Sequence, residues 1–277
     1  MPAISQQTRE RIRGYLEGFI GGLVEAYKNW YPPTYGSVQQ YLGQRSAKGT
    51  LKPFHHAIMP VELLKINAFE RSFSTKLGTT FEECARLIAS EHHEQAVRGY
   101  SMEGQVSQSA LNEIENLVRR LGEPASEPLS LASMVEDVLA HRREDDLVHI
   151  RVISDLYVRK HSGEEMFFEI KSPKPNKDQC EKALKRLLQI HLLRGATCPA
   201  VSAYFAMAYN PFGDGREEYR WSILSQYPPL MEAAVIADEF WSLIGGAGTY
   251  EELLQIYQEV GNLRSRFILD ALVRSAE

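Results

Sequence analysis

Two stretches decide the fold of this chain: LVHIRVISDLYVRK at residues 147–160 and MFFEIK at residues 166–171. Both are rich in β-branched and aromatic residues, and a short segment that contains Gly163 separates them. Two such runs around a short break predict a β-hairpin. Because MFFEIK begins with an apolar run, we predict that it is a central strand of a sheet and not an edge strand.

Helical patterns surround the hairpin. Apolar residues recur at helical spacing from Ile12 to Tyr27, and a second helix is expected to open at Thr79 or Thr80, each a plausible N-cap. Further helices are predicted over 111–121, 131–139, 177–194, 231–244 and 250–274, and further strands over 199–210 and 219–227.

This order predicts an α/β fold in which a central mixed β-sheet is flanked by helices. We expect one domain over residues 1–277. Within it, residues 1–125 form a mainly helical N-terminal part, and residues 131–277 form the sheet core with C-terminal helices. The stretch GEPASEPLS, residues 122–130, contains two prolines and is the best internal linker.

Composition excludes several classes of protein. At 44% hydrophobic and 24% charged residues, the 277-residue chain has the composition of a globular protein. It has no apolar run of membrane-spanning length and no secretory leader, so we expect no membrane contact. Three cysteines without CxxC spacing predict a reduced, cytoplasmic protein without structural zinc. The net charge of −5 argues against a uniformly basic coat protein but leaves room for a local basic surface.

Three charged residues of the hairpin carry the chemistry. If the turn centres between Ser162 and Gly163, residue 170 lies opposite Asp155, and one bulge residue would bring Glu169 there instead. Either register places Asp155 and Glu169 across from each other, with Cβ atoms about 4.5–5.5 Å apart. Side chains alternate along a strand, so Lys171 shares the face of Glu169. Two carboxylates and one ammonium group are therefore expected to converge.

A divalent cation would relieve the repulsion between the two carboxylates. Oxygen ligands favour Mg²⁺ or Mn²⁺, and the backbone carbonyl of Ile170 offers a further oxygen. A metal ion there would activate water and polarise a phosphoryl oxygen, while Lys171 would hold the water and offset developing charge. This set suits hydrolysis of a phosphodiester. The simpler interpretation is a solvated salt bridge across the hairpin.

Basic residues follow the hairpin closely. Residues 171–194 contain seven Lys or Arg and only two acidic residues. Beside an acidic cluster, this excess predicts a surface that contacts DNA phosphates, with Lys174, Lys177, Lys182 and Lys185 as the expected contacts. Upstream, the polar and basic run NAFERSFSTKLG at residues 67–78 is expected to contact the backbone phosphates through Arg71 and Lys76. A solvated helix face and an exposed loop are the alternatives.

The spacing of Asp155 and Glu169-Ile170-Lys171 resembles the PD-(D/E)xK nuclease superfamily, with Ser154 where the motif name has proline. The segment FEIKSPKPNKDQ, residues 168–179, and the layout of the chain resemble type II restriction endonucleases of the TdeIII group. The resemblance implies Mg²⁺-dependent cleavage of double-stranded DNA at a short palindrome of GGNCC type. It also implies 5′-phosphate and 3′-hydroxyl ends, with Asp155, Glu169 and Lys171 as the catalytic residues.

The superfamily often has a further glutamate on a helix before the hairpin. Glu82 is the favoured candidate for a metal-site residue and Glu83 the weaker one, while either could simply complement a helix dipole. A palindromic site implies a homodimer with one active site for each strand. The alternatives are a repair or junction-resolving nuclease of the same superfamily and a DNA-binding protein without catalytic activity.

Overall fold

The computed structural model describes residues 2–47, 49–121 and 129–273 of the chain. The helices in these ranges are α1 (Gln6–Lys28), α2 (Val38–Leu42), α3 (Pro53–Ile58), α4 (Val61–His92), α5 (Gln108–Arg120), α6 (Leu131–Ala140), α7 (Lys177–Arg194), α8 (Pro228–Glu232), α9 (Asp238–Gly245) and α10 (Thr249–Val273). The strands are β1 (Gln95–Ser107), β2 (Leu147–Arg159), β3 (Glu165–Lys171), β4 (Val201–Met207) and β5 (Ala234–Ile236).

The five strands form one mixed sheet in the order β1-β2-β3-β4-β5. β1, β2 and β3 pair antiparallel, whereas β3, β4 and β5 pair parallel. The parallel connection from β3 to β4 runs through α7, as a parallel pair requires. The predicted α/β fold with a central mixed sheet and flanking helices is confirmed, and β3 is an internal strand.

Both faces of the central strand β3 are buried by helices. On one face, Phe167 belongs to an apolar cluster that includes residues of α5, α6 and α7. On the other face, the Phe168 ring stacks on Tyr204 at 5.2 Å and contacts Phe240 of α9 at 5.6 Å. Because neighbouring residues of a strand point to opposite faces, this FF pair anchors β3 in both layers of the core.

The α7 helix has the predicted bounds because local signals mark both of its ends. The side chains of Asn176 and Gln179 form a capping box at its beginning, which satisfies two backbone N–H groups. Gly195 ends it with φ +64°, in the left-handed region where glycine is favoured.

Contacts divide the chain into two compact units. The first comprises Met1–Arg9 and Phe81–Leu254 and holds the sheet; the second comprises Glu10–Thr80 and Gln255–Glu277. In the second unit the fully buried Lys65 donates hydrogen bonds through Nζ to the carbonyls of Lys28 (3.1 Å) and Ala271 (3.2 Å). This ammonium group therefore binds backbone carbonyls near the ends of α1 and α10.

The N-terminal expectations were partly wrong. The described residues up to 121 are mainly helical, as expected, but residues 95–107 form β1, a strand that the sequence pattern did not predict. The second long helix does not begin at Thr79 or Thr80. It begins at Val61, and the two threonine hydroxyls donate back to carbonyls three residues earlier, which lets the helix continue through them. The segment around Arg71 and Lys76 is consequently part of α4 and not a loop.

The strand expected over 219–227 is absent from the structure. This segment forms irregular backbone and one short 3₁₀ turn (Leu224–Gln226), because its aromatic side chains bind backbone elsewhere: Tyr219 Oη donates to the Pro173 carbonyl and Trp221 Nε1 to the Pro175 carbonyl, each at 2.7 Å. The helix expected over 231–244 is divided among α8, β5 and α9.

Most of the expected linker, residues 122–128, lies outside the described residues. Within the described ranges, no helix combines the length and the apolar character needed to cross a membrane. None of the three cysteines, all of which lie in these ranges, forms a disulfide.

Candidate active site

The candidate site lies where β2 and β3 separate. Their pairing runs from Arg159 with Glu165 to Leu156 with Phe168 and then stops. The next pair in this register would be Asp155 with Glu169, the second of the two expected registers. Beyond the last pair, Asp155 Oδ2 accepts a hydrogen bond from the Ile170 N–H at 2.8 Å. A side chain thus replaces the backbone in joining the strands, which places the carboxylate beside β3.

The backbone around Asp155 has two unusual features. Across β1, Arg98 pairs with Leu156 and Tyr100 with Ser154, so Gly99 stands opposite Asp155 with φ +62°, a left-handed conformation that favours glycine. The buried Ser154 hydroxyl lies within hydrogen-bond distance of the Leu156 carbonyl (2.9 Å) and the Phe168 carbonyl (3.1 Å). Ser154, which replaces the proline of the motif name, therefore fastens β2 to β3 beside Asp155.

The ammonium group of Lys171 lies among three oxygen atoms. Its Nζ is 3.1 Å from Asp155 Oδ2, 2.6 Å from Glu169 Oε1 and 3.2 Å from the Ile170 carbonyl oxygen. These oxygens belong to the three hairpin residues that were expected to ligate a metal ion. The structure therefore brings the predicted constellation together on one face of the sheet.

Sequence reasoning missed a fourth charged residue, Arg186. Its guanidinium group pairs with Glu169 Oε2, so both oxygens of this carboxylate contact a cation. Arg186 belongs to α7, the helix that connects β3 to β4, and its neighbours Leu187 and Leu188 are buried. The available signal is the position of this cation beside the apolar stripe of the helix that follows Glu-x-Lys; charge counting alone does not distinguish it from the other basic residues of that helix.

Burial and charge balance explain why this cluster holds together. The Glu169 side chain is 3% exposed, and a buried carboxylate is costly unless cations and hydrogen bonds compensate it. Burial lowers the pKa of Lys171, but the nearby carboxylates of Glu169 and Asp155 outweigh it, so the pKa lies above its ordinary value. Lys171 is therefore a protonated hydrogen-bond donor in this arrangement.

The donor chemistry fits a hard divalent cation. Two carboxylates and one carbonyl already converge on a positive charge, and all three are oxygen donors. In the described part of the chain, no group of three or more His, Cys, Asp and Glu side chains could hold a metal ion. A metal ion would thus rely on Asp155, Glu169 and the Ile170 carbonyl, with water completing its shell.

Glu82 has a cationic partner of its own. Its Oε2 accepts from Arg98 Nε at 2.7 Å, and Arg98 precedes Gly99, the residue opposite Asp155. Glu83 instead pairs with Arg86 one turn along the same helix, at 2.5 Å. The two glutamates are therefore distinguished by their partners: Glu82 binds the sheet, and Glu83 binds only α4.

The four lysines expected at DNA phosphates differ in their surroundings. Lys174 lies over the rings of Phe212 (5.3 Å) and Trp221 (5.8 Å). Lys177 is 3.8 Å from Glu181, and Lys185 forms an ion pair with Glu115. Lys182 is exposed and has no ion pair with any described residue. Arg71 and Lys76 are exposed on α4 in the second unit.

The chain is similar to known proteins over most of its length. The family described as "Type II restriction endonuclease, HinfI" matches residues 36–261. The type II restriction enzyme HgiCII of Herpetosiphon aurantiacus is 41% identical over 272 residues, which cover 98% of this chain and 100% of that protein. HgiEI and HgiBI, type II restriction enzymes of the same organism, are each 41% identical over 273 residues. No solved structure gives a significant match.

The expected kinship with type II restriction endonucleases is thereby confirmed, while the TdeIII grouping stays a prediction. The match spans the hairpin, α7 and most of the second unit, and therefore covers far more than the short motif. The chain belongs to the HinfI family of type II restriction endonucleases.

Proposed function

We propose that this restriction endonuclease hydrolyses double-stranded DNA with Mg²⁺ at a short palindromic site of GGNCC type and leaves 5′-phosphate and 3′-hydroxyl ends. The observation that carries the chemistry is the convergence of Asp155, Glu169 and the Ile170 carbonyl on Lys171 Nζ. The site type follows from the resemblance to the TdeIII group. Two other functions are possible outcomes of the digestion experiment below: repair or junction-resolving cleavage, and DNA binding without cleavage.

Each residue of the cluster would have a separate role in the reaction. Asp155, Glu169 and the Ile170 carbonyl would hold Mg²⁺, and Glu82 would add negative charge near it. When bound, the ion polarises a phosphoryl oxygen and makes water a better nucleophile. The protonated Lys171 would donate hydrogen bonds to the attacking water or to the phosphate, where negative charge develops.

The hydrolysis consumes one water molecule and needs no other co-reactant. The water oxygen forms a bond to phosphorus, and the bond from phosphorus to O3′ breaks. The departing O3′ takes up a proton and becomes the 3′-hydroxyl group. The phosphate stays on the 5′ carbon of the neighbouring nucleotide and carries the oxygen that came from water.

Contacts to DNA would come from the basic residues outside this cluster. Lys174, Lys177, Lys182 and Lys185 would bind phosphates beside the active site, and Arg71 and Lys76 would be further contacts to the duplex. The phosphate contacts of the four lysines would position the duplex and carry no sequence information. A homodimer would present one active site to each strand of a palindrome.

Digestion of a phage genome tests the activity and the site together. With Mg²⁺ we expect discrete fragments whose sequenced ends define one palindrome and carry 5′-phosphates; with EDTA we expect none. A smear of random ends would favour a repair nuclease. Binding without cleavage in Mg²⁺ or Mn²⁺ would overturn the proposal in favour of a DNA-binding protein.

Substitutions test the residues. Asp155→Asn, Glu169→Gln and Lys171→Ala should each lower the cleavage rate by about a thousandfold or more, since groups that act as one unit fail together. Lys171→Ala should still bind the cognate duplex in Ca²⁺. The matched control is Glu164→Ala, which breaks the Lys160–Glu164 pair at the turn of the same hairpin and should leave cleavage unchanged. Near-normal cleavage by any of the first three would refute the site.

A further inference from the structure

The second unit contains a cleft whose lining is aromatic and basic. Its volume is about 800 Å³. Tyr27, Trp30 and Tyr35 supply the aromatic surface, and none of the described residues that line it is Asp or Glu. Its basic lining residues are Lys52, His55, His56, Arg71 and Lys76. In a chain with a net charge of −5, a cleft with this lining is complementary to a polyanion.

One face of α4 presents a row of polar side chains to this cleft. Asn67, Arg71 and Thr75 are four residues apart, so they follow one another along the helix surface, and all three are exposed. The row spans about 12 Å along the helix axis, which equals about three to four base-pair steps of DNA. A row of this length on an α-helix can follow base edges in the major groove.

The first two members of the row have side-chain donors available. No described residue forms a hydrogen bond or ion pair with the Asn67 amide or the Arg71 guanidinium group, whereas the Thr75 hydroxyl donates to the Arg71 carbonyl at 2.7 Å. Other arginines of the chain are engaged: Arg216 and Arg220 donate to backbone carbonyls. Arg71 therefore differs from these arginines in having its guanidinium group available to a ligand.

The helix that carries this row is packed against the second unit on its other side. Lys65 and Phe69 are buried, and Phe73 contacts the ring of Phe19 at 5.8 Å. A base-reading group needs such a support, because a side chain on a mobile element loses the geometry of a bidentate contact. Within the described residues the cleft offers no metal-binding cluster.

We infer that this cleft binds the substrate duplex and that α4 reads base edges there, with Arg71 bidentate to a guanine and Asn67 to an adjoining base. Guanine presents two acceptors in the major groove that match the fork of an arginine. Lys52 and Lys76 contact the flanking phosphates. The inference rests on the proposed function and assigns sequence reading to the unit that does not hold the carboxylate cluster.

The test uses the full-length enzyme and the conservative variant Arg71→Lys, which keeps the charge but loses the fork. Binding is measured in Ca²⁺ on the cognate duplex, on duplexes with one substituted base pair and on an unrelated duplex. We expect cognate binding to weaken about ten- to a hundredfold, while unrelated-duplex binding stays within about twofold of wild type. Cleavage of a randomised library in Mg²⁺ should show relaxed selection at one guanine position. Asn67→Ala should relax a neighbouring position.

Arg11→Lys is the matched control, because Arg11 is exposed on α1 in the same unit and does not line the cleft. Unchanged discrimination by Arg71→Lys would overturn the inference. If Arg71→Ala weakens cognate and unrelated binding equally while Arg71→Lys behaves as wild type, Arg71 contacts phosphate only and the inference also fails. A wild-type enzyme that cuts no duplex would refute the proposed function itself, whereas discrete cutting with unaltered variants would refute only this inference.

Discussion

Glu169 is the residue on which the charges of the candidate site depend. It is almost fully buried, and its two carboxylate oxygens contact Lys171 and Arg186. A buried charge that loses a partner retains its desolvation cost without the compensating attraction. Lys171 reaches it from two residues away, but Arg186 comes from a different element, so each partner constrains the carboxylate from a different direction.

Removing the arginine should disturb metal binding more than DNA binding. In Arg186→Gln the Glu169 carboxylate loses one of its two cations and its fixed orientation. We expect the Mg²⁺ concentration for half-maximal cleavage to rise about ten- to a hundredfold, with KM for DNA nearly unchanged and partial rescue by Arg186→Lys. Mg²⁺ titration of cleavage and calorimetric titration of metal binding measure the effect.

Arg194 provides a control on the same helix. Arg194 pairs with Glu165, near the turn end of β3, at 3.0 Å. Arg194→Gln should lower the melting temperature without changing the Mg²⁺ requirement. Both variants could instead have a lowered melting temperature and the wild-type Mg²⁺ requirement for cleavage. In that case Arg186 has only a structural role.

Glu82 can be tested in the same way. Glu82→Gln keeps the size of the side chain and an oxygen that can accept from Arg98, but it removes the charge. If the carboxylate adds to the field around the metal, the Mg²⁺ requirement should rise while the melting temperature stays close to wild type. A partly exposed ion pair contributes only about 0–1 kcal/mol to stability.

The neighbouring substitution Glu83→Gln breaks an ion pair within α4. Its Mg²⁺ requirement for cleavage should equal that of the wild type. If Glu82→Gln leaves the Mg²⁺ requirement unchanged but lowers the melting temperature, Glu82 has a structural role and does not act on the metal site.

At the scale of elements, the separation of β2 from β3 creates the site. The two strands pair for four residues on each side of the turn, and beyond them the Ile170 N–H would lack a partner on β2. The Asp155 carboxylate provides that partner, and β4 continues to pair with β3 on its other edge as far as Lys171. The motif residues thus emerge at the end of a strand that is still held in the sheet.

The α7 helix should contribute to DNA affinity in an uneven way. Lys182 is exposed without an ion pair among the described residues, whereas Glu115 already neutralises Lys185. We expect Lys182→Ala to weaken cognate and unrelated duplex binding equally and to reduce the slope of log K against log salt by about one unit. Fluorescence anisotropy over a salt series measures this slope.

Lys185→Ala should change the slope less, because its charge already has a partner. The double variant Lys185→Ala with Glu115→Ala serves as a control for the lost pair. If Lys182→Ala leaves the slope unchanged, this helix face is a solvated surface that does not contact DNA.

At the scale of the whole molecule, the chain combines a sheet-bearing unit with a second, helical unit. The described residues of one chain form one carboxylate cluster of the kind proposed here, but hydrolysis of a palindrome requires attack on two strands of opposite polarity. Two-fold symmetry of a homodimer matches two-fold symmetry of the site.

We therefore expect sedimentation equilibrium to give a mass of twice the 31.4 kDa of one chain. Mixed dimers of wild-type and Lys171→Ala chains should nick a single strand of the cognate site, because one of the two active sites is lost. A monomer in the presence of cognate DNA, or mixed dimers that cut both strands at the wild-type rate, would contradict the two-fold arrangement.

Several features were predictable because local interactions decide them. The hairpin follows from two β-rich runs around a glycine-containing turn, and α7 follows from its apolar stripe, its capping residues and Gly195. Alternation along a strand was enough to place Glu169 and Lys171 on one face. The sequence by itself therefore determined the hairpin, the helix after it and the grouping of the three motif residues.

Only the tertiary structure decided the rest, because it depends on contacts between distant segments. β1 lacks a strong apolar alternation and exists as an edge strand through its pairing with β2. The aromatic run at 219–227 is typical of a strand, yet Tyr219 and Trp221 bind carbonyls 46 residues earlier. Arg186 reaches Glu169 only because α7 crosses back over β3. Local pattern determines which elements form, whereas the packing of those elements determines which side chains meet.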